Sequence, residues 1–129
     1  MRITYLKLVN FLHIYSGLNK TEVELNFREN RKVINIIIGK MGSCKSVILG
    51  HLQPFYGFGT LDSRSQDGII LDGENGEKII EYEKGHDSYH ISHKYNWKNG
   101  KHTVKSYISK NDIELNPNGN VSSFRSIVE

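Results

Sequence analysis

The chain has 129 residues, a formal net charge of +3 and one cysteine, with 37% hydrophobic and 24% charged residues. That length admits one small domain or part of a larger one; the single cysteine excludes an internal disulfide and fits a reducing compartment; and the mild positive charge permits contact with nucleic acid without demanding it. No stretch nears the ~20 apolar residues of a membrane helix, and the opening MRITYLKLVNF lacks both the apolar run and the cleavage site of a signal peptide, so a cytoplasmic protein with no membrane partner is expected.

Residues 3–9 alternate, with Thr4, Leu6 and Leu8 forming a strongly apolar second face, and predict a strand. Gly17, Leu18, Asn19 and Lys20 read as a turn. Residues 21–27 (TEVELNF) alternate again, placing Val23, Leu25 and Phe27 inward. A charged loop is expected over 28–32. Residues 33–38 (VINIII) are nearly all apolar and β-branched, the pattern of a strand covered on both faces.

Directly after that run comes GKMGSCKS. The phosphate-loop pattern G-x-x-x-x-G-K-[ST] is met at Gly39, Lys45 and Ser46, but Cys44 stands where the second glycine belongs. The chemistry accounts for each residue type. Glycines let backbone N–H groups turn inward around a phosphate, and a helix beginning near Lys45 adds its unpaired N–H groups. Lys45 supplies a cation for the β- and γ-phosphates, and Ser46 a hydroxyl for magnesium. A side chain at position 44 weakens such a loop wherever the backbone needs a positive φ, at about 1–2 kcal/mol. The Cys44 thiol, beside Lys45 and a helix start, could also act as a nucleophile with a lowered pKa, although no histidine base lies near it in sequence. A strand–turn–helix joint with a fortuitous match is the alternative for the octet.

Residues 45–53 have helical character, with Val47, Ile48, Leu49 and Leu52 on a broad apolar stripe and Pro54 as the stop. Residues 55–67 lack periodicity and read as a loop. The second half changes style. Short strands are expected at 69–71, 78–83, 89–97, 103–108 and 113–115. They are separated by the turn signals Asp72-Gly73, Asn75-Gly76, Lys84-Gly85, Asn99-Gly100 and Asn111-Asp112, and together form an antiparallel meander. After the break NPNGN, residues 121–129 restart as a helix capped by Ser122, with Phe124, Ile127 and Val128 on its apolar face. That stripe is still growing at Glu129, which is expected of a chain cut from a longer one.

Three further patterns are weighed. Lys84, Lys94, Lys98, Lys101, Lys105 and Lys110 interleave with Tyr89, Tyr95, Trp97 and Tyr107, a mixture that suits nucleic acid. On a strand, however, residues 89, 91, 93, 95 and 97 share one face and Lys94 the other, so core aromatics and a solvated lysine face are expected. His86, His90 and His93 could hold a metal, but strand geometry sends His90 and His93 to opposite faces. Asp62, Asp67, Asp72 and Glu74 read as solvated turn residues.

The order of these elements resembles the SMC-like ATPases, above all the SbcC type, the ATPase subunit of a recombination nuclease, including those of large phages. LKLVNF (residues 6–11) is similar to the family's opening strand, IIIGKMGSCKSVIL to its Walker A segment with the frame G-x-N-G-S-G-K-S, and SFRSIVE to the start of the helix before its Q-loop. The sequence departs from that pattern at Met41 for asparagine, at Cys44 for glycine, and at Leu12 and His13 for arginine and serine. These departures bear on affinity and turnover more than on fold.

The resemblance implies an α/β (α+β) fold spanning residues 1–129: a partial P-loop ABC/SMC-type head lobe, with strand, P-loop and helix followed by a β-meander, ending before the Q-loop and coiled coil. It implies ATP and Mg2+ as cofactors, contacts from Gly39, Gly42, Ser43, Cys44, Lys45 and Ser46, and Ser46 on the metal. It further implies DNA, a nuclease subunit and a second ATPase head as partners. The signature loop, the Walker B aspartate and the catalytic glutamate have no counterpart in the sequence, so weak nucleotide binding and little or no hydrolysis are expected. A β-rich protein- or DNA-binding module with a decayed phosphate loop is the other reading. A P-loop kinase fits less well, because those chains alternate β and α throughout.

Overall fold

The computed structural model describes residues 2–28, 45–57 and 69–128. Its described elements are β1 (Arg2–Val9), α1 (Leu12–Leu18), β2 (Glu22–Asn26), α2 (Lys45–Gly50), β3 (Gly76–Lys84), β4 (Asp87–Lys98), β5 (Lys101–Lys110), β6 (Ile113–Glu114) and α3 (Val121–Val128). The strands form one antiparallel sheet in the order β2-β1-β3-β4-β5-β6, so the fold is α+β. The expected strand at 33–38 lies outside the described residues. Among the described residues, no helix is long and apolar enough to cross a membrane.

Pairing registers sort the side chains onto two faces, because neighbours along a strand point to opposite sides. One row of the helix-covered face runs Leu25–Leu6–Ile80–Ile91–Ile108 across five strands. Ile14 of α1, Ile48 of α2 and Phe124 of α3 share one apolar cluster with this row. The adjacent row runs Val23–Leu8–Lys78–His93–Ser106, apolar at one end and polar at the other. The opposite face carries Glu24, Lys7, Ile79, Ser92 and Tyr107 in the matching order. A register shift between Ile3 and Tyr5 lets β1 change its facing near its start.

The meander follows its turn residues. Asn99 and Gly100 both take positive φ, as do Asn111 and Asp112, the requirement of the tight hairpin turn whose twist matches the strands. Gly76 departs from its expected role. It opens β3 and is buried, and a Cβ built there would lie 2.5 Å from Ile70 Cδ1 and 2.9 Å from Val9 O. The glycine permits close approach and does not make the turn. Residues 69–71 form no strand of their own, only a bridge between Phe11 and Ile70.

The structure corrects three helix expectations. Residues 12–18 form α1 where only a turn over Gly17–Lys20 was expected; the helix ends in a left-handed Asn19. Helix α2 stops at Gly50, four residues short of Pro54, and Leu49 is 53% exposed and off the apolar stripe. At α3 the cap is Asn120, whose Oδ1 accepts from the Ser123 N–H at 3.0 Å; Ser122 lies inside the helix.

Candidate functional site

Of the residues expected to meet nucleotide, Gly39, Gly42, Ser43 and Cys44 lie outside the described residues. Lys45 is the first residue of α2, and Ser46, the next, is exposed. Helix α2 is seated on the sheet by Ile48, which is buried, with Val47 and Leu52 half-buried beside it. Lys45 and Ser46 are thus consecutive residues at the opening of α2.

The chain leaving α2 is fastened unusually firmly. The last helical turn closes with His51 N–H donating to Ile48 O (3.1 Å) and Leu52 N–H to Leu49 O (3.2 Å). Four successive carbonyls then accept hydrogen bonds from sheet side chains. Lys78 Nζ donates to Gln53 O (2.8 Å) and Phe55 O (2.9 Å). His93 Nε2 donates to Pro54 O (2.6 Å), and the Tyr95 hydroxyl to Tyr56 O (2.5 Å). The bend is also braced from within: Gln53 Nε2 donates to Gly57 O (2.7 Å), and Gln53 Oε1 accepts from Phe55 N–H (2.6 Å).

These donors come from neighbouring strands in register. Lys78 on β3 faces His93 on β4, which faces Ser106 on β5. Because Pro54 O can only accept, His93 Nε2 carries a proton, and Nδ1 lies 2.7 Å from the Ser106 hydroxyl. Burial, and then the Lys78 charge, pushes the ring's pKa down to about 3, so the imidazole is neutral and Nδ1 accepts from that hydroxyl. Lys78 is fully buried, and burial pushes its pKa down to about 7. Even the neutral amine has two N–H groups, enough for both carbonyls.

Aromatic rings wall this cluster. Phe11 meets His51 edge-on with centroids 4.8 Å apart, and Tyr95 at 5.7 Å; Phe124 meets His93 at 5.0 Å and Phe55 at 6.5 Å. His51 is buried, and burial foremost pushes its pKa down to about 3. The end of α2 is thus tied to the start of α1, to β3 and β4, and to α3.

The open face of the sheet has a different chemistry. Arg28 pairs with Glu81 (2.8 Å) and lies 4.0 Å from the Tyr5 ring centre, while His90 Nδ1 donates to Glu81 Oε2 at 3.0 Å. Burial works to raise the Glu81 pKa, but the hydrogen bonds from Arg28 and His90 outweigh it and hold the carboxyl below its ordinary value. His90 and His93 stand on opposite faces, and among the described residues no group of histidine, cysteine and carboxylate side chains is arranged to hold a metal. Ile91, His93 and Tyr95 are fully buried, so that part of β4 is core. Tyr107 differs, since it shares the open face with Lys94, whose Nζ lies 5.6 Å from its ring centre. Glu77 stands opposite Lys94, which stands opposite Lys105, so acid is interspersed with base on this face.

Sequence reasoning missed Lys78 and His93 as a unit. Their signal is there: polar residues in the inward phase of two strongly periodic strands, where an isolated charge would be expensive. No protein-family model matches the chain, and no curated protein matches it.

Proposed function

We propose that this chain is the ATP-binding lobe of an SMC-like recombination and repair ATPase of the SbcC type, one that regulates a partner nuclease on DNA ends. The observation that carries the reading is the run GKMGSCKS in sequence with a helix opening at its lysine, Lys45. The order of the described elements, two amino-terminal strands, α2, an antiparallel meander and a closing helix, is compatible with the element order on which the family resemblance rests.

In this reading Gly39, Gly42, Ser43, Cys44, Lys45 and Ser46 contact the nucleotide, with Ser46 also on Mg2+. A second ATPase head faces the same nucleotide, and closure of the two heads is the switch that the nuclease reads. The catalytic glutamate and signature loop have no counterpart in the sequence, so the chain binds nucleotide weakly and turns over little or none.

The test is thermal unfolding of the wild type and Cys44→Gly with and without magnesium ATP. A ligand that binds only the folded form raises the midpoint. A rise in the wild type that grows in Cys44→Gly supports the reading. No rise in either protein favours the alternative, a β-rich binding module with a decayed phosphate loop.

A further inference from the structure

We propose that the open face of the sheet carries a binding cleft for a short zwitterionic peptide, centred on Ser92, in which Lys94 receives the peptide's carboxylate and Glu114 its ammonium. None of these residues takes part in the ATP-binding reading above.

Three strands build the cleft in register. On β4, His90, Ser92 and Lys94 follow one another along the open face. Ser92 stands between Ile79 of β3 and Tyr107 of β5. A short side chain between two long ones leaves a hollow, and the cleft over it has a volume of about 350 Å3. Ile79 and Tyr107 wall the middle, Lys94 borders one end, and His90 and Glu114 border the other. The Tyr107 ring is backed by the chain at Gly119, where a built Cβ would lie 2.8 Å from the ring's Cζ.

The Ser92 hydroxyl points to a ligand. Ser92 is 8% exposed, and its Oγ is buried with no hydrogen-bond partner among the described residues. Buried hydroxyls are normally satisfied, because an unmade bond leaves their desolvation uncompensated. A peptide unit seated over Ser92 supplies either missing partner, a carbonyl for the hydroxyl to donate to or an N–H for it to accept from.

The charges at the two ends set the kind of ligand. Lys94 makes no ion pair among the described residues; its ammonium lies 5.6 Å from the Tyr107 ring centre, although Glu77 stands opposite it on β3. Glu114 accepts the Asn116 N–H on Oε1 at 2.9 Å, which leaves its second oxygen for a ligand. Asp112 adds another carboxylate in the adjoining cleft, which shares His90 and Glu114. Glu81, on that same side, is already held by Arg28 and His90. The basic and acidic ends are separated by the length of β4 from His90 to Lys94, about 13 Å at the rise of a strand. An extended peptide of about four residues spans that distance. A single amino acid is too short to reach both ends, and a ligand of one sign leaves one end without a partner.

The test follows backbone amide resonances of the full chain by NMR as tetraglycine is added, beside its N-acetyl and carboxamide forms. The expected result is saturable shifts centred on Ser92 and Tyr107, with binding several-fold weaker when either end of the peptide is capped. In Lys94→Gln the free acid and the carboxamide should bind equally, while acetylation still weakens binding. Ser92→Ala should bind several-fold more weakly and keep both end preferences. No saturable shift in the wild type, shifts centred away from β4 and β5, or equal binding of the three peptides overturns the proposal and leaves the ATP reading untouched. An undiminished preference for the free acid in Lys94→Gln also overturns it, since the carboxylate is then read elsewhere.

Discussion

Lys78 gives the molecule a measurable pH signature. Its folded pKa is pushed down to about 7 by burial, against an ordinary value of 10.5. Between these values the unfolded chain holds the extra proton, so stability rises with pH across the window, and the burial penalty is full below it. His51 and His93, pushed down from 6.5 to about 3 by burial, take up protons on unfolding between those values, so stability falls as acid is added through that range. Urea midpoints of the wild type are therefore expected to climb from about pH 7 to about pH 9, and the climb to flatten in Lys78→Met. A climb of equal size in Lys78→Met would place its origin elsewhere. Gly76 gives a second residue-scale prediction. Gly76→Ala must push against Ile70, which is fully buried, and against the Val9 carbonyl. A loss of about 1–3 kcal/mol is expected from such overpacking, read from urea unfolding.

At the scale of elements, α3 is a short helix whose hold on the sheet comes largely from one ring. Phe124 is 1% exposed and meets both His93 and Phe55 edge-on. Phe124→Ala should cost about 3–5 kcal/mol. The cap is separable from this packing: Asn120→Ala should cost about 1 kcal/mol by orphaning the Ser123 N–H, while Ser122→Ala should stay within about 0.5 kcal/mol. Urea unfolding of the two variants distinguishes the caps. The strands were legible because their alternation and their turn residues agree, as in 89–97 and the Asn99-Gly100 hairpin. Helix α1 was not, since Gly17 and Asn19 read as a turn, yet Phe11, Ile14, Tyr15 and Leu18 carry helical spacing that a turn signal masked. Ser122 was preferred as cap because Asn120 sits in the run NPNGN, which reads as loop; cap geometry turns on one residue of register. The run GKMGSCKS is legible as a motif in the sequence alone; of it, the described residues show only that a helix opens at Lys45. The hold of Lys78, His93 and Tyr95 on residues 53–56 was not legible, because it depends on which strands are neighbours and on a backbone segment about 25–40 residues away in sequence.

At the scale of the whole molecule, the described residues give one face of the sheet to helices and core and the other to mixed charge. The second face carries Glu77, Glu81 and Glu83 among Lys7, Lys94 and Arg28, and two of those acids stand in ion pairs, Glu81 with Arg28 and Glu83 with Arg2. A surface of that kind lacks the single sign that draws a phosphate backbone without help. In the ATPase reading, DNA is engaged by the assembled heads and nuclease, and this lobe contributes its nucleotide loop. The central claim is therefore that the chain holds a magnesium-bound triphosphate through Lys45 and its neighbours. Calorimetric titration of the full chain with magnesium ATP, wild type beside Lys45→Ala, puts that claim to the proof. Weak, saturable heat in the wild type that vanishes in Lys45→Ala is the predicted result; equal heat in both proteins, or none in the wild type, would contradict it.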